Sequence, residues 1–167
     1  MPLSLHNKKE IVSKIHHIAN IALSIVIADS RGVTTNNITE LRKLSRNIGV
    51  TISIVRNTLL NLAIQGTSFE CLKNKFKGPT LVAYSLKHPG SGARLFKDFS
   101  KKNKNFKITG GVFEEKILST LQVHHLADMP TYNEAIIIFI SLIKEAAVGK
   151  LIRTVFAISN KKEKTLS

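Results

Sequence analysis

Two arginines offer the clearest chemistry in this chain, because each follows a short apolar run. Arg31 lies in Asp29-Ser30-Arg31-Gly32-Val33, after Leu23–Ala28, and Arg56 lies in Val55-Arg56-Asn57-Thr58, at the end of a run that starts at Thr51. A guanidinium is always charged and presents a planar fork that can grip two phosphate oxygens at once. Gly32 lets the backbone approach a partner closely. A helix opening at Asn57 or Thr58 would add free N–H groups and a dipole that favour an anion. If the two apolar runs are parallel strands, both loops lie at the carboxyl edge of one sheet, where open α/β folds bind ligands. The chemistry on offer is phosphate recognition; the plainer reading is two solvated arginines beside turns, and spacing alone leaves both open.

Arg42, Lys43 and Arg46 form a second basic face, with the run Lys101-Lys102-Asn103-Lys104 as a third. Charge runs are usually solvated faces, so an RNA role here is one of two readings. With no Trp and only two Tyr, base stacking cannot dominate, and recognition of folded RNA by backbone and shape fits better. The histidine pairs His16-His17 and His124-His125 are sequence neighbours, which on a helix point about 100° apart, and no Cys cluster or H-x-x-x-H spacing assists them. Pro89–Arg94 lacks the spacing of a phosphate-binding loop and reads as a helix start. No Ser/His/Asp or paired-carboxylate set has supporting context. The expectation is therefore no catalysis, no cofactor, no metal and no small-molecule substrate.

The elements that must position these loops alternate. Leu5–Asn20 reads as an amphipathic helix capped by Ser4, with Ile11, Ile15 and Ile18 at helical spacing. Leu23–Ala28 reads as a buried strand. Asn36–Ile48 is helical, with Ile38, Leu41, Leu44 and Ile48 on one face and Gly49 as its stop. Thr51–Val55 is a second strand, Asn57–Gln65 a helix, and Thr67-x-x-Glu70 has capping-box spacing for a short helix. Thr80–Tyr84 is a third strand, followed by a helix from Pro89-Gly90. Lys107–Phe113 alternates as a fourth strand, with Gly110-Gly111 marking a bulge or edge. The fold class is α/β (α+β): a globular N-terminal domain with a mixed sheet flanked by helices, in two or three layers, plus a long C-terminal α-helix. Sheet order cannot be read from the pattern.

The chain has 167 residues, 43% of them hydrophobic, and a formal net charge of +14. That length supports one ordinary domain plus an appendage, and the charge favours nucleic acid or an anionic surface as partner. One cysteine, Cys71, makes no intramolecular disulfide and fits a reducing, cytoplasmic setting. The N-terminus has no signal-like core, and the longest apolar run is far short of the ~20 residues of a membrane span, so no membrane is expected.

Beyond Asp128-Met129-Pro130-Thr131 the character changes. Glu134–Ile158 is apolar nearly all round if helical: Ile136, Ile140, Ile143, Ala147, Leu151 and Ile158 form one stripe, Val155 widens it, and Phe139 lies beside it. Such a helix must be buried somewhere, either on its own domain or in the grip of partner helices. Gly149 interrupts it and marks two segments, Ala135–Ile143 and Ala147–Ile158. The division expected is residues 1–130 for the globular domain, 131–160 for the helix and 161–167 for a frayed charged tail.

Taken in order, Ala28–Val33, Glu40–Lys43, Val55–Leu60, Phe69–Lys73, Gly78–Thr80, Ala83–Ser85, His88–Gly90, Ala93–Lys97, Met129–Tyr132 and Gly149–Thr154 resemble the bacterial ribosomal protein L-ten, or stalk-base, family. The resemblance spans Leu3 to Ala157. It implies a globular domain that binds large-subunit rRNA beside ribosomal protein L-eleven. It also implies a C-terminal helix carrying dimers of the acidic stalk protein L-seven/L-twelve, which recruits translational GTPases. Arg31, Gly32, Arg56, Asn57 and Thr58 match the family's RNA-facing loops, and Glu134–Ile158 matches its stalk-protein site. Lys101–Lys107 is more basic, and Ile136-Ile137-Ile138 more β-branched, than the family pattern. The expected role is a ribosomal scaffold holding two stalk dimers; the alternative is a free RNA-binding translational regulator.

Overall fold

A computed structural model describes residues 4–76, 78–103 and 105–166, without the side chains of residues 74, 147, 148 and 160–166. It divides into two compact units, Met1–Met129 and Pro130–Ser167.

The first unit runs α1 (Leu5–Ile21), β1 (Ser24–Asp29), α2 (Thr35–Ile48), β2 (Val50–Ile54), α3 (Asn57–Ile64), a 3-10 turn (Glu70–Lys75), β3 (Thr80–Ser85), α4 (Gly90–Lys102), β4 (Lys107–Phe113), β5 (Lys116–Leu118) and α5 (Thr120–Ala127). Its strands form one sheet in the order β2-β3-β1-β4-β5. Every neighbouring pair is antiparallel, which narrows the expected mixed sheet. The reason is where the chain turns. After β2 it leaves and re-enters at the same sheet edge, so β3 returns antiparallel; α4 then recrosses the sheet before β4. Because β1 and β2 both run against β3, they point the same way, and their carboxyl ends lie at one edge.

Apolar residues on both sheet faces give three layers. Val26, Ala28, Leu81 and Ala83 pack with Leu41 of α2, Phe96 and Phe99 of α4, and Val123 and Leu126 of α5. Ile25, Ile27, Val82 and Tyr84 pack with Ile15 of α1, Leu60 and Ile64 of α3, and Leu72 and Phe76 around the 3-10 turn. Strands covered on both faces read as continuous apolar runs rather than alternations, which is the pattern of β1 and β3. Phe106 meets Phe96 and Phe99 edge-on, at centroid distances of 5.2 and 4.9 Å, the geometry that ring quadrupoles favour. A bulge falls in β4 where the register with β1 slips between Ile27 and Ala28, beside Gly110. Pro89–Gly92 is a close-packing device, not an anion loop: the Ser85 hydroxyl accepts from the Gly92 N–H at 3.1 Å, and a Cβ on Gly92 would sit 2.7 Å from it.

Three local expectations change. Leu44 and Ile48 stay 45% and 44% exposed, because α2 lies over the edge strand β2 and the sheet covers only part of its stripe. Thr67 and Glu70 do not form a capping box: the Thr67 hydroxyl donates to Ile64 O at 2.8 Å instead, and Phe69 precedes the 3-10 turn. The helix after β2 is opened by Arg56, without a side-chain cap.

The second unit is α6 (Tyr132–Lys144), a π-helical stretch (Glu145–Gly149) and α7 (Lys150–Leu166). A capping box starts it: the Thr131 N–H donates to Glu134 Oε2 at 2.9 Å and the Glu134 N–H to Thr131 Oγ1 at 3.4 Å. Gly149 ends the π-helical turn rather than the helix, and Arg153 pairs with Glu145 across that turn. The helix continues to Leu166, and no Gly or Pro stands after Gly149 to stop it. Among the described residues no single helix is long and apolar enough to cross a membrane.

Candidate nucleic-acid interface and docking helix

At the edge where β1 and β2 end, four chain segments meet. Asp29 stands opposite both Thr80 and Lys107 in register, and Ile54 opposite Leu81. The loop after β1, the β2–α3 junction, the Gly78-Pro79 turn before β3 and the loop before β4 therefore share one rim. Arg31 anchors there through its own backbone: its N–H donates to Asp29 Oδ1 at 3.0 Å, and its Nε lies 3.4 Å from Asp29 Oδ2. The side chain remains 68% exposed. Its guanidinium covers Gly78, where a Cβ would come within 2.5 Å of Nη2 and where φ is +83°. The left-handed backbone is what requires glycine there; the exposed arginine above it could swing aside.

Asn57 has a different job from the one its position implies. Its Nδ2 donates to Gly78 O at 2.9 Å and to Phe76 O at 3.2 Å. It staples the α3 start to the turn beneath Arg31. Arg56 and Thr58 on either side are exposed. A depression of 620 Å³ lies between Ile54–Thr58 and Gly78–Thr80. Across Gly32, whose carbonyl accepts from Asn105 Nδ2 at 3.2 Å, the rim continues to the exposed Lys101, Lys102 and Lys107. Asn37 Nδ2 donates to Asn103 Oδ1 at 2.6 Å and ties α2 to the same loop. Lys104 lies outside the described residues. Sequence reasoning missed Lys107, Asn105 and Gly78; the signal for Gly78-Pro79 was its turn chemistry, while the other two become visible only through strand register.

The fold thus brings Arg31, Gly32, Arg56, Asn57 and Thr58 together. It does not bring Arg42, Lys43 and Arg46 to that rim. All three are exposed on α2, but α2 runs away from the edge, and at 1.5 Å per residue Arg46 is about 16 Å along it from Thr35.

In the second unit no residue of α6 is buried. Ile136, Phe139, Ile140, Ile143, Leu151, Val155 and Ile158 are 39–66% exposed; the Ala147 side chain lies outside the described residues. Ile137, Ile138, Leu142, Ile152 and Phe156 are exposed as well.

A family model described as Ribosomal protein L10 matches residues 4–101. The large ribosomal subunit protein uL10 of Buchnera aphidicola subsp. Schizaphis graminum is 62% identical over 163 residues, covering 98% of this chain and 99% of that relative. The protein of the same description from Cronobacter sakazakii is 52% identical over the same spans. The chain belongs to the ribosomal protein L10 family. It is therefore a structural constituent of the large ribosomal subunit, not an enzyme, and works in translation on the cytoplasmic ribosome.

Proposed function

We propose that the rim of Arg31, Gly32, Arg56, Asn57 and Thr58 binds large-subunit rRNA, with Arg42, Lys43 and Arg46 as a flanking contact. The C-terminal helix then anchors dimers of the acidic stalk protein L-seven/L-twelve. The observation that carries this reading is the division of labour between the two units. One presents exposed guanidiniums and an uncapped helix start on a rigid sheet edge; the other presents an apolar helix with none of its α6 residues buried. Arg31 is held from below by Asp29 and Gly78 yet open above, the arrangement that favours a bidentate phosphate contact. Asn57 supports the loop, leaving Arg56 and Thr58 exposed at a helix start with no side-chain cap.

Docking is energetically adequate. Burying five or six of the tail side chains gives about 8–18 kcal/mol gross, at roughly 1.5–3 kcal/mol each, against an association cost of about 4–15 kcal/mol. The π-helical turn Glu145–Gly149 overlaps the start of the second of two segments, Ala135–Ile143 and Ala147–Ile158, and the reading assigns one dimer to each. In this reading residues 1–130 form the RNA-binding domain beside ribosomal protein L-eleven, residues 131–160 form the docking segment, and the stalk recruits translational GTPases indirectly. The RNA end is tested by the Arg31→Ala/Arg56→Ala double variant binding an rRNA fragment. Each lost phosphate contact should flatten the slope of log K against log salt by about 0.7–0.9. An unchanged slope excludes the rim.

A further inference from the structure

A groove of 640 Å³ runs between α1 and α3; it shares no lining residue with the depression at the rim, although Leu59 follows Thr58 in the chain. Leu5, Val12, Leu59 and Leu62 supply its apolar surface; Leu5 is 69% and Leu62 54% exposed. Lys8, Lys9, His16 and His17 stand along it. Neither Lys8 nor Lys9 has a carboxylate partner among the described residues, since the neighbouring Glu10 faces His6. The walls are fixed: His16 Nδ1 sits 2.9 Å from Ala63 O and ties α1 to α3, and Ile15 and Ile64 beneath are buried. At 17 residues α1 is about 25 Å long, room for several turns of a partner helix.

We infer that the α1–α3 groove is a protein-docking surface for an acidic amphipathic helix. Aliphatic side chains flanked by lysines favour a ligand with an apolar stripe and carboxylates beside it. The charge also selects against other occupants. The chain carries a net +14 and its own tail has more Lys and Arg than Glu, so neither that tail nor a second copy complements Lys8 and Lys9. RNA is disfavoured because the floor between the lysines is aliphatic, Leu5, Val12, Leu59 and Leu62, and phosphates gain nothing from leucines. This surface rests on neither the rRNA nor the stalk reading.

The test uses the full chain, isotope-labelled, titrated with a synthetic helix bearing Leu at i, i+3, i+4 and i+7 and Glu between. A control peptide has Lys in place of Glu, and an rRNA fragment is titrated in parallel. We expect amide shifts at Val12, Ser13 and Leu62 with the acidic peptide. Binding read at those amides should weaken at least tenfold with Leu62→Glu or Leu5→Glu, both exposed positions that leave the fold intact, and with added salt. Shifts confined to α6–α7, no shift at all, equal binding of the Lys peptide, or groove shifts caused by the rRNA fragment would each overturn the proposal.

Discussion

The two units of this protein solve opposite problems. The first closes two apolar faces over one sheet and leaves mostly polar groups outside; the second begins with thirteen helical residues and buries none of them. The same aliphatic side chains, Ile and Leu, therefore hold a fold together in one unit and stand exposed in the other. Composition does not distinguish the roles. What distinguishes them is whether the chain supplies a second layer. In residues 24–29 and 80–85 it does, through helices on both sides. In α6, Tyr132–Lys144, no residue is buried.

Several substitutions can break or sharpen that contrast. The largest effect is expected from removing everything after Pro130: stalk-dimer binding should vanish entirely while the remaining domain keeps its melting transition. Loss of the transition would show that the helix serves its own core. Next, Phe96→Ala should cost about 3–5 kcal/mol in denaturant unfolding, because Phe96 is fully buried between Phe106 and the sheet. Phe139→Ala, at a 63% exposed position, should leave that unfolding within about 0.5 kcal/mol yet weaken dimer binding roughly tenfold or more, the equivalent of ~1.4 kcal/mol. If Phe139→Ala destabilised the chain as Phe96→Ala does, the contrast would fail.

The smallest effect concerns acid. A hydrogen bond from Lys97, with its charge, holds the Asp128 carboxyl below its ordinary range, and the nearby histidines add slightly; Lys73 does the same for Glu70. A carboxylate lowered on folding stabilises the fold above its unfolded pKa and loses that contribution as pH falls through the folded value. Both groups are exposed, so the effect is small. Comparing Asp128→Asn with the parent chain from about pH 5 to pH 2 should show a stability difference that shrinks as the pH drops. A difference constant across that range would remove Lys97–Asp128 from the account.

Much of this architecture is legible in the residues. Lys107–Phe113 alternates strictly enough to be bounded as a strand, and the continuous apolar run before Asp29 marks a strand covered on both faces. β5 and α5 are not announced. Their hairpin turns at Glu114-Glu115, both at positive φ, where Asn-Gly would be the usual signal, and β5 has only three residues. The Ser119/Gln122 capping box of α5 was the available clue. At the rim, residue type identified Arg31 and Arg56, but the structural role of Asn57 depends on Phe76 and Gly78, about twenty residues away, which no local pattern reveals. The tail was legible because its apolar content exceeds what one face of a helix can hide.

The central claim is that the apolar tail exists to be covered by partner dimers, two of them. Co-expression of the full chain with the acidic stalk protein, followed by mass measurement of the intact complex, tests it directly. One copy of this chain with two stalk dimers is the expected mass. A chain that remains alone, or one that carries three dimers, would contradict it.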